Sequence, residues 1–326
     1  CAIQADSTDT MWLGTSGAGL DRFDLQTGVF SNFQPDPNNP NSLGSVDVNT
    51  IFEDTAGNVW VGTKGGGLSR FDRSSESFLN YLSASDDPNS ISNNDVFAIH
   101  EDQKNAIWVG TYGGGLNRLN PETGEFIHFK FNPEDVNTLS DNNIYDIHEN
   151  ENGIFWIATA NGGLNEFDPE TGTAKRFGKQ EGLASDVIYS IIPDDAGYLW
   201  LSTNQGITRF NPNTYSFVNF DTSDGLKRVI YREGAAFRGR DGAIYFGGSK
   251  GFTKFYPDQI TTNDYVPPIV LTELSLFNQP LEIDGPLTQL GELGLSYEDD
   301  ILGFEFAALD FTDPSKNQFA YKLDGF

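Results

Sequence analysis

The sequence contains little cysteine, few basic residues and no long apolar segment. Cys1 is the only cysteine among 326 residues, so an intrachain disulfide and a cysteine-based zinc site are excluded. Lys and Arg number 20 against 47 acidic residues, which gives a formal net charge of −27. Nucleic acids and anionic membrane surfaces are both bound through basic side chains, so neither partner is expected for this region. No apolar run approaches the roughly 20 residues that a membrane helix needs.

The five tryptophans all occur in one recurring phrase, in which two small or apolar residues and a Thr follow the ring. They lie 48 residues apart at Trp12, Trp60, Trp108 and Trp156, and Trp200 follows after 44. A sixth copy has Tyr245 in place of tryptophan. A period of this length is typical of a four-stranded propeller blade, whereas most helical repeats are shorter.

Each repeat is predicted to form four short strands. In the second repeat the first strand covers 48–54, the tryptophan phrase forms the second, and the third covers 67–72 after a glycine-rich turn. A fourth strand such as 126–129 closes the unit. We therefore predict an all-β chain with a propeller over residues 1–258, in which each tryptophan packs between blades. Six blades are visible, and we expect a seven-bladed ring with part of it upstream of Cys1.

The repeat pattern stops after residue 258, and a different architecture is predicted beyond it. Residues 259–267 are interpreted as a linker, because Val266-Pro267-Pro268 favours extended backbone. The segments 269–277 and 301–306 have the pattern of strands, so 268–326 is predicted to form part of a β-sandwich.

Two sets of motifs carry a family resemblance. Residues 60–72, Trp-Val-Gly-Thr-Lys-Gly-Gly-Gly-Leu-Ser-Arg-Phe-Asp, and residues 94–102 resemble the two-component regulator propeller repeat. Residues 267–326, with Phe304-Glu305-Phe306 and Tyr321-Lys322-Leu323-Asp324-Gly325-Phe326, resemble the Ig-like YYY domain that follows such propellers.

The resemblance implies a periplasmic sensor region of an inner-membrane signalling protein, a hybrid histidine kinase or a diguanylate cyclase. It implies a small-molecule ligand, with an oligosaccharide as the first candidate, and relay through the YYY domain, which would also form a homodimer. It implies no catalysis in this region. We expect no cofactor and no metal site.

Candidate ligand-binding residues lie where the repeats differ from one another. The position after the Gly-Thr phrase varies between blades, and other polar residues surround the starts of the first strands. Both sets belong to loops at one end of a propeller, where variation is compatible with recognition. Tyrosine can stack on a sugar ring, while amides and carboxylates bind hydroxyl groups. The candidates are Lys64, Tyr112, Asn204, Asp47, Asp95, Asn143, Asp186 and Tyr189.

Two other classes of function stay open at this point. His100 and His148 occupy equivalent positions in adjacent repeats, as a propeller lyase or hydrolase with a histidine base would require. A protein-binding scaffold is the other alternative. The glycines at 65–67 and 113–115 lead directly into strands without a helix, so we interpret them as turns rather than as phosphate-binding loops.

Overall fold

The structure, a computed structural model, describes residues 2–227, 229–260, 268–281, 283, 287, 292–296 and 301–309. The chain divides into two compact units, residues 1–260 and 261–326. Strands form nearly all of the regular structure. The described helices are three single turns of 3-10 type, at Lys179–Glu181, Thr222–Asp224 and Pro257–Gln259.

The first unit consists of six antiparallel sheets, and each is a meander in which consecutive strands pair. Sheet 1 contains β1 (Ala2–Ala5), β2 (Thr10–Gly14), β3 (Leu20–Asp24) and β4 (Phe30–Phe33). Sheet 2 contains β5 (Val48–Glu53), β6 (Val59–Thr63), β7 (Leu68–Asp72) and β8 (Ser77–Tyr81). Sheet 3 contains β9 (Val96–Glu101), β10 (Ile107–Thr111), β11 (Gly115–Leu119) and β12 (Phe126–Phe129).

The remaining three sheets continue the same pattern. Sheet 4 contains β13 (Ile144–Glu149), β14 (Phe155–Thr159), β15 (Leu164–Asp168) and β16 (Thr173–Phe177). Sheet 5 contains β17 (Ile188–Pro193), β18 (Leu199–Thr203), β19 (Gly206–Asn211) and β20 (Ser216–Phe220). Sheet 6 contains β21 (Tyr231–Arg238), β22 (Ile244–Gly248) and β23 (Gly251–Phe255), so its described part has three strands rather than the predicted four.

The first strands of the sheets lie side by side around a common axis. Each of β5, β9, β13 and β17 contacts the first strand of the preceding and of the following sheet, and β21 contacts β9, β13 and β17. This arrangement is that of a β-propeller, and the predicted all-β propeller is confirmed.

The tryptophans occupy the interfaces between sheets, as predicted. All five are at most 2% exposed, and Trp12, for example, packs against Val61 and Phe71 of the next sheet. The indole N–H of Trp108 donates to Asp102 Oδ2 at 2.8 Å, and Trp12, Trp60 and Trp200 make the same bond to the aspartate six residues earlier. Each of these four rings therefore buries its apolar surface without leaving its one donor unsatisfied.

A second repeated bond joins neighbouring sheets at the turn after the first strand. Glu101 accepts hydrogen bonds from the backbone N–H and the hydroxyl of Thr55, at 2.7 and 2.8 Å. Glu53 accepts the equivalent pair from Ser7. In sheet 5 the corresponding position is Pro193, which has no carboxylate to offer. The sheets are thus held together by carboxylates as well as by apolar packing.

The faces of sheets 1 and 6 that point away from the array are open. Phe252 in sheet 6 is 67% exposed, whereas its equivalent in sheet 4, Leu164, is fully buried. Ile3 in sheet 1 is 73% exposed, whereas its equivalent Ile51 is 8% exposed. A seventh blade would cover both faces. The presence of that blade stays a prediction.

The described part of the second unit is a small antiparallel sheet. Its strands are β24 (Ile269–Leu276), β25 (Gln279–Pro280) and β26 (Leu302–Ala308). β24 pairs with both others, and the hairpin to β25 turns at Phe277 and Asn278, which both have positive φ. The YYY assignment stays a prediction, and its closing motif at 319–326, like the linker residues 261–267, lies outside the described residues.

Candidate functional site

The candidate residues lie at one end of the propeller. This end, the loop face, is built by the turns between second and third strands and by the loops that lead into each first strand. The two elements are hydrogen-bonded together in sheets 2 and 3: Lys64 N–H donates to the Asp47 carbonyl and Tyr112 N–H to the Asp95 carbonyl, at 2.9 and 2.8 Å. The predicted residues of one sheet are therefore neighbours, as the repeat pattern implies.

A β-bulge opens the first strand of sheets 2 to 5 at its second residue. In sheet 4, Ile144 is opposite Thr159 but Asp146 is opposite Ala158, which leaves Tyr145 without a partner residue. Asn49, Phe97 and Tyr189 occupy the bulges of sheets 2, 3 and 5. Bulges often redirect a side chain away from the sheet beside a functional site. Here they place three aromatic rings on neighbouring strands.

These rings and Tyr112 form a continuous aromatic row, defined as Phe97, Tyr112, Tyr145 and Tyr189. Tyr145 stacks between Tyr112 and Tyr189, with ring centroids 6.2 and 6.0 Å away. Phe97 lies 6.0 Å from Tyr112 and 5.6 Å from Tyr145. Tyr112 is 42% exposed, and the other three rings are half-buried. Two predicted residues, Tyr112 and Tyr189, are thus brought into one surface.

Phe97 and Tyr145 are not among the residues predicted from the sequence. A signal for them was present, because Asn49, Phe97 and Tyr145 follow one another at the 48-residue period and Tyr189 comes 44 residues later. This spacing identifies the four residues as a surface group only when the bulge is known, because an undistorted strand would direct alternate residues into the packed interface between sheets.

The aromatic row lies in an acidic environment. Burial raises the pKa of Tyr145 to about 12, and the negative charge of Glu233 acts in the same direction, followed by Tyr112, Tyr189 and Asp141. Burial also raises the pKa of Tyr189, again helped by Glu233 and opposed by Arg232. The tyrosine hydroxyls therefore stay protonated and can donate hydrogen bonds at neutral pH.

The three predicted carboxylates already accept hydrogen bonds from neighbouring loops. Asp95 Oδ1 accepts from Gly65 N–H of the preceding sheet at 2.7 Å, and Asp47 Oδ1 accepts from the Ser16 hydroxyl at 2.8 Å. Asp186 Oδ1 accepts from Lys179 N–H at 2.9 Å. Their first role is to position the loops, and only their remaining lone pairs are available to a ligand.

The other predicted polar residues are more loosely arranged. Asn143 donates through Nδ2 to Asp141 at 3.0 Å and pairs with Tyr112 in an isolated bridge, so it lies beside the aromatic row. Lys64 and Asn204 are exposed on the turns of sheets 2 and 5. No described contact joins either side chain to the aromatic row. The binding roles of all eight residues stay predictions.

The two histidines lie in the neighbouring first strands β9 and β13. His100 Nε2 is 3.0 Å from Glu149 Oε2, and its ring packs edge-on against Phe155. Burial lowers the pKa of His148 to about 4, with the charge of His100 adding to the effect. His148 is therefore neutral at physiological pH, and His100 has the inter-sheet bonding role that its repeated position suggests.

No cluster of three or more metal-ligating side chains occurs within the described residues. None of the described helices is long and apolar enough to cross a lipid bilayer.

Four segments match the family model of the two component regulator propeller: residues 42–65, 90–113, 138–161 and 182–205. Each runs from the loop that enters a first strand to the turn after the tryptophan strand. These four segments are similar to two-component regulator propeller repeats. All eight predicted binding residues, and the whole aromatic row, lie within the regulator propeller segments.

Relatives of the chain are consistent with these repeats. Histidine kinase P4 from Formosa agariphila is 31% identical over 154 residues, which cover 45% of this chain and 11% of the kinase. The extracellular domain of a protein assigned as a hybrid two component system in B. thetaiotaomicron is 26% identical. Its structure superposes with a TM-score of 0.70 and covers 95% of this chain and 41% of that domain. The chain thus spans less than half the length of either relative.

A lyase also shares this fold. Virginiamycin B lyase from Staphylococcus aureus superposes with a TM-score of 0.55 at 15% identity, over 80% of this chain and 84% of the lyase. At this level of identity the likeness concerns the fold alone, since one fold supports many unrelated activities.

Proposed function

We propose that this chain is part of the extracytoplasmic sensor region of a receptor of the hybrid two-component type, and that its propeller binds a small ligand, an oligosaccharide, on the loop face. The regulator propeller repeats, the histidine kinase relative and the extracellular two-component relative support the assignment to a sensor. A periplasmic location, an anchor in the inner membrane and a histidine kinase or cyclase output belong to the same proposal.

The observation that carries the ligand-binding part is the aromatic row. Tyr112, Tyr145 and Tyr189 present three rings about one sugar unit apart, at centroid spacings of 6.2 and 6.0 Å. Aromatic rings bind the apolar faces of sugars, while carboxylates and amides at the rim bind hydroxyl groups. A row of rings on adjacent blades suits an extended chain of sugars better than a single compact molecule.

Ligand binding would be relayed through the second unit, the predicted YYY domain, which would also form a homodimer. Such a relay requires the ligand to bind two conformations of the receptor with different affinities. We expect the ligand to shift the population of dimers, and this can be followed by analytical ultracentrifugation of the chain with and without the ligand.

Calorimetry of the 326-residue chain against a panel of oligosaccharides tests the proposal. Micromolar binding without product formation is expected, and Tyr145→Ala should weaken it at least tenfold because it removes the central ring of the row. Tyr198→Ala is the control, since Tyr198 precedes the tryptophan strand of sheet 5 at the opposite end of the propeller and contacts Arg209.

Two outcomes would reject the proposal. Turnover of a ligand that is lost in His100→Ala or His148→Ala would instead identify a lyase or hydrolase. Capture of a protein partner by the loop face, with no response to any glycan, would identify a scaffold.

A further inference from the structure

The bulge in sheet 6 is larger than those in sheets 2 to 5 and brings a charged residue to the aromatic row. Tyr231 is opposite Gly248 and Ala236 is opposite Phe246, so four residues, 232–235, stand against the single residue Gly247. Their strand, β21, contacts β9, β13 and β17, the three strands that carry Phe97, Tyr145 and Tyr189. Glu233, the second of the four, is half-buried in this bulge.

The carboxylate of Glu233 has unused hydrogen-bonding capacity. The carboxylates of Asp47, Asp95 and Asp186 each accept a bond from a loop, whereas Glu233 makes no hydrogen bond and no ion pair within the described part of the chain. A half-buried carboxylate without a donor is unfavourable, since its lost hydration is not replaced. It is therefore suited to accept a donor from a bound molecule.

A second unsatisfied polar atom lies on β17, the strand that carries Tyr189. Ser190 follows Tyr189 on this strand, which packs against β21, and its hydroxyl oxygen is fully buried without a partner. It is the one such side-chain atom among the described residues. Buried polar groups are normally paired, so this hydroxyl is an exception within the two strands that carry Tyr189 and Glu233.

The sign of the charge restricts what that partner can be. Glu233 and Asp141 both act on Tyr145, and an anionic ligand on the row would face both charges. At separations of 6 to 8 Å in a partly hydrated site, each like-charge pair weakens binding by about tenfold. Arg232 is the nearest opposing charge, but its side chain is exposed and therefore more strongly screened than half-buried Glu233.

We infer that the ligand of the aromatic row is an oligosaccharide without anionic groups, which donates a hydrogen bond to Glu233 while its sugar rings lie against Tyr112 and Tyr145. This inference rests on the proposed function and narrows it, because uronic acid and sulfated chains are excluded as ligands. Binding of an uncharged chain should also depend little on ionic strength, whereas binding of a cationic chain should weaken as the salt concentration rises.

Calorimetry with four sets of hexasaccharides of equal length tests the inference. The sets are neutral hexose or pentose chains, uronate chains, sulfated chains and cationic glucosamine chains, each titrated into the 326-residue protein at 50 and 300 mM salt. We expect a neutral or cationic chain to bind best, and binding of the neutral chain should change less than twofold between the two salt concentrations. Glu233→Gln keeps the shape of the side chain and one acceptor oxygen but removes the charge, so it should weaken binding of the neutral chain by about 3- to 10-fold, the effect of replacing a charge-assisted bond by a neutral one.

The control is Glu122→Gln, because Glu122 is exposed in the turn between the third and fourth strands of sheet 3, at the opposite end of the propeller. Circular dichroism verifies that both variants fold. Stronger binding of an anionic chain, or unchanged binding of the neutral chain in Glu233→Gln, would overturn the inference while leaving a glycan sensor intact. No binding in any of the four sets would overturn the proposed function itself.

Discussion

Replacement of Asp102 tests whether the bond from aspartate to tryptophan stabilises the propeller. Asp102 Oδ2 accepts from the indole N–H of Trp108 at 2.8 Å, and Oδ1 accepts from Ala106 and Lys104 N–H at 2.8 and 2.9 Å. Asp102→Ala removes all three hydrogen bonds. The indole donor stays between sheets 3 and 4, where Trp108 is fully buried.

The expected loss follows from these contacts. A bond to a charged acceptor contributes about 1.5–3 kcal/mol, and the two turn bonds, which water can partly replace, add about 0.5 kcal/mol each. The free energy of unfolding should therefore fall by about 2.5–4 kcal/mol, which for a unit of this size lowers Tm by about 5–16 °C. Asp102→Asn keeps one acceptor oxygen, as Asn150 does at the equivalent position in sheet 4, and should lose about half as much.

Urea unfolding followed by tryptophan fluorescence is the suitable assay, because all five tryptophans lie in the first unit and the signal reports on the propeller alone. Asp86→Ala, in an exposed loop, is the matched control. A loss below about 0.5 kcal/mol in Asp102→Ala, equal to that of the control, would refute the reasoning, since it lies within the range of ordinary surface substitutions.

Three further predictions concern equivalent positions and pH. Leu164→Ser should lower the free energy of unfolding by about 3–5 kcal/mol, whereas Phe252→Ser at the equivalent exposed position should change it by less than about 0.5 kcal/mol; equal losses in urea unfolding would contradict the open face of sheet 6. Burial raises the pKa of Asp146 from its usual 3.8 to about 7. The contribution of Asp146 to the free energy of unfolding should therefore decline as pH rises from 4 to 7. Asp146→Asn should abolish that decline when the free energy of unfolding is compared at pH 5 and pH 8. Burial lowers the pKa of His148 from its usual 6.5 to about 4. The contribution of neutral His148 to the free energy of unfolding should therefore be complete above pH 6.5 and decrease towards pH 4. If His148→Gln loses stability in acid as the unsubstituted protein does, His148 is not the source of that loss.

The fold could be predicted because large aromatic residues recur at a fixed period along the chain. The spacing of Trp12, Trp60, Trp108 and Trp156 implies one buried ring per interface, and four short strands per repeat follow from the turns between them. The positive φ of Gly57 and Gly124 shows why glycine occurs in those turns, since other residues rarely adopt that conformation. Such local patterns predict the folded structure because each repeat packs against its neighbours in the same way.

The repeat pattern alone is thus sufficient to predict the sheets, the tryptophan interfaces and the end of the propeller at which polar residues vary. Which of those residues meet depends on the folded arrangement, because a bulge of one residue changes the direction of a side chain and strands from different repeats converge at the axis. Tyr145 and Tyr189 become stacked neighbours and Glu233 acts on both, although the three residues are spread over almost 90 positions. Such proximity depends on how far each blade rotates about the axis, and no property of the individual repeat encodes that angle.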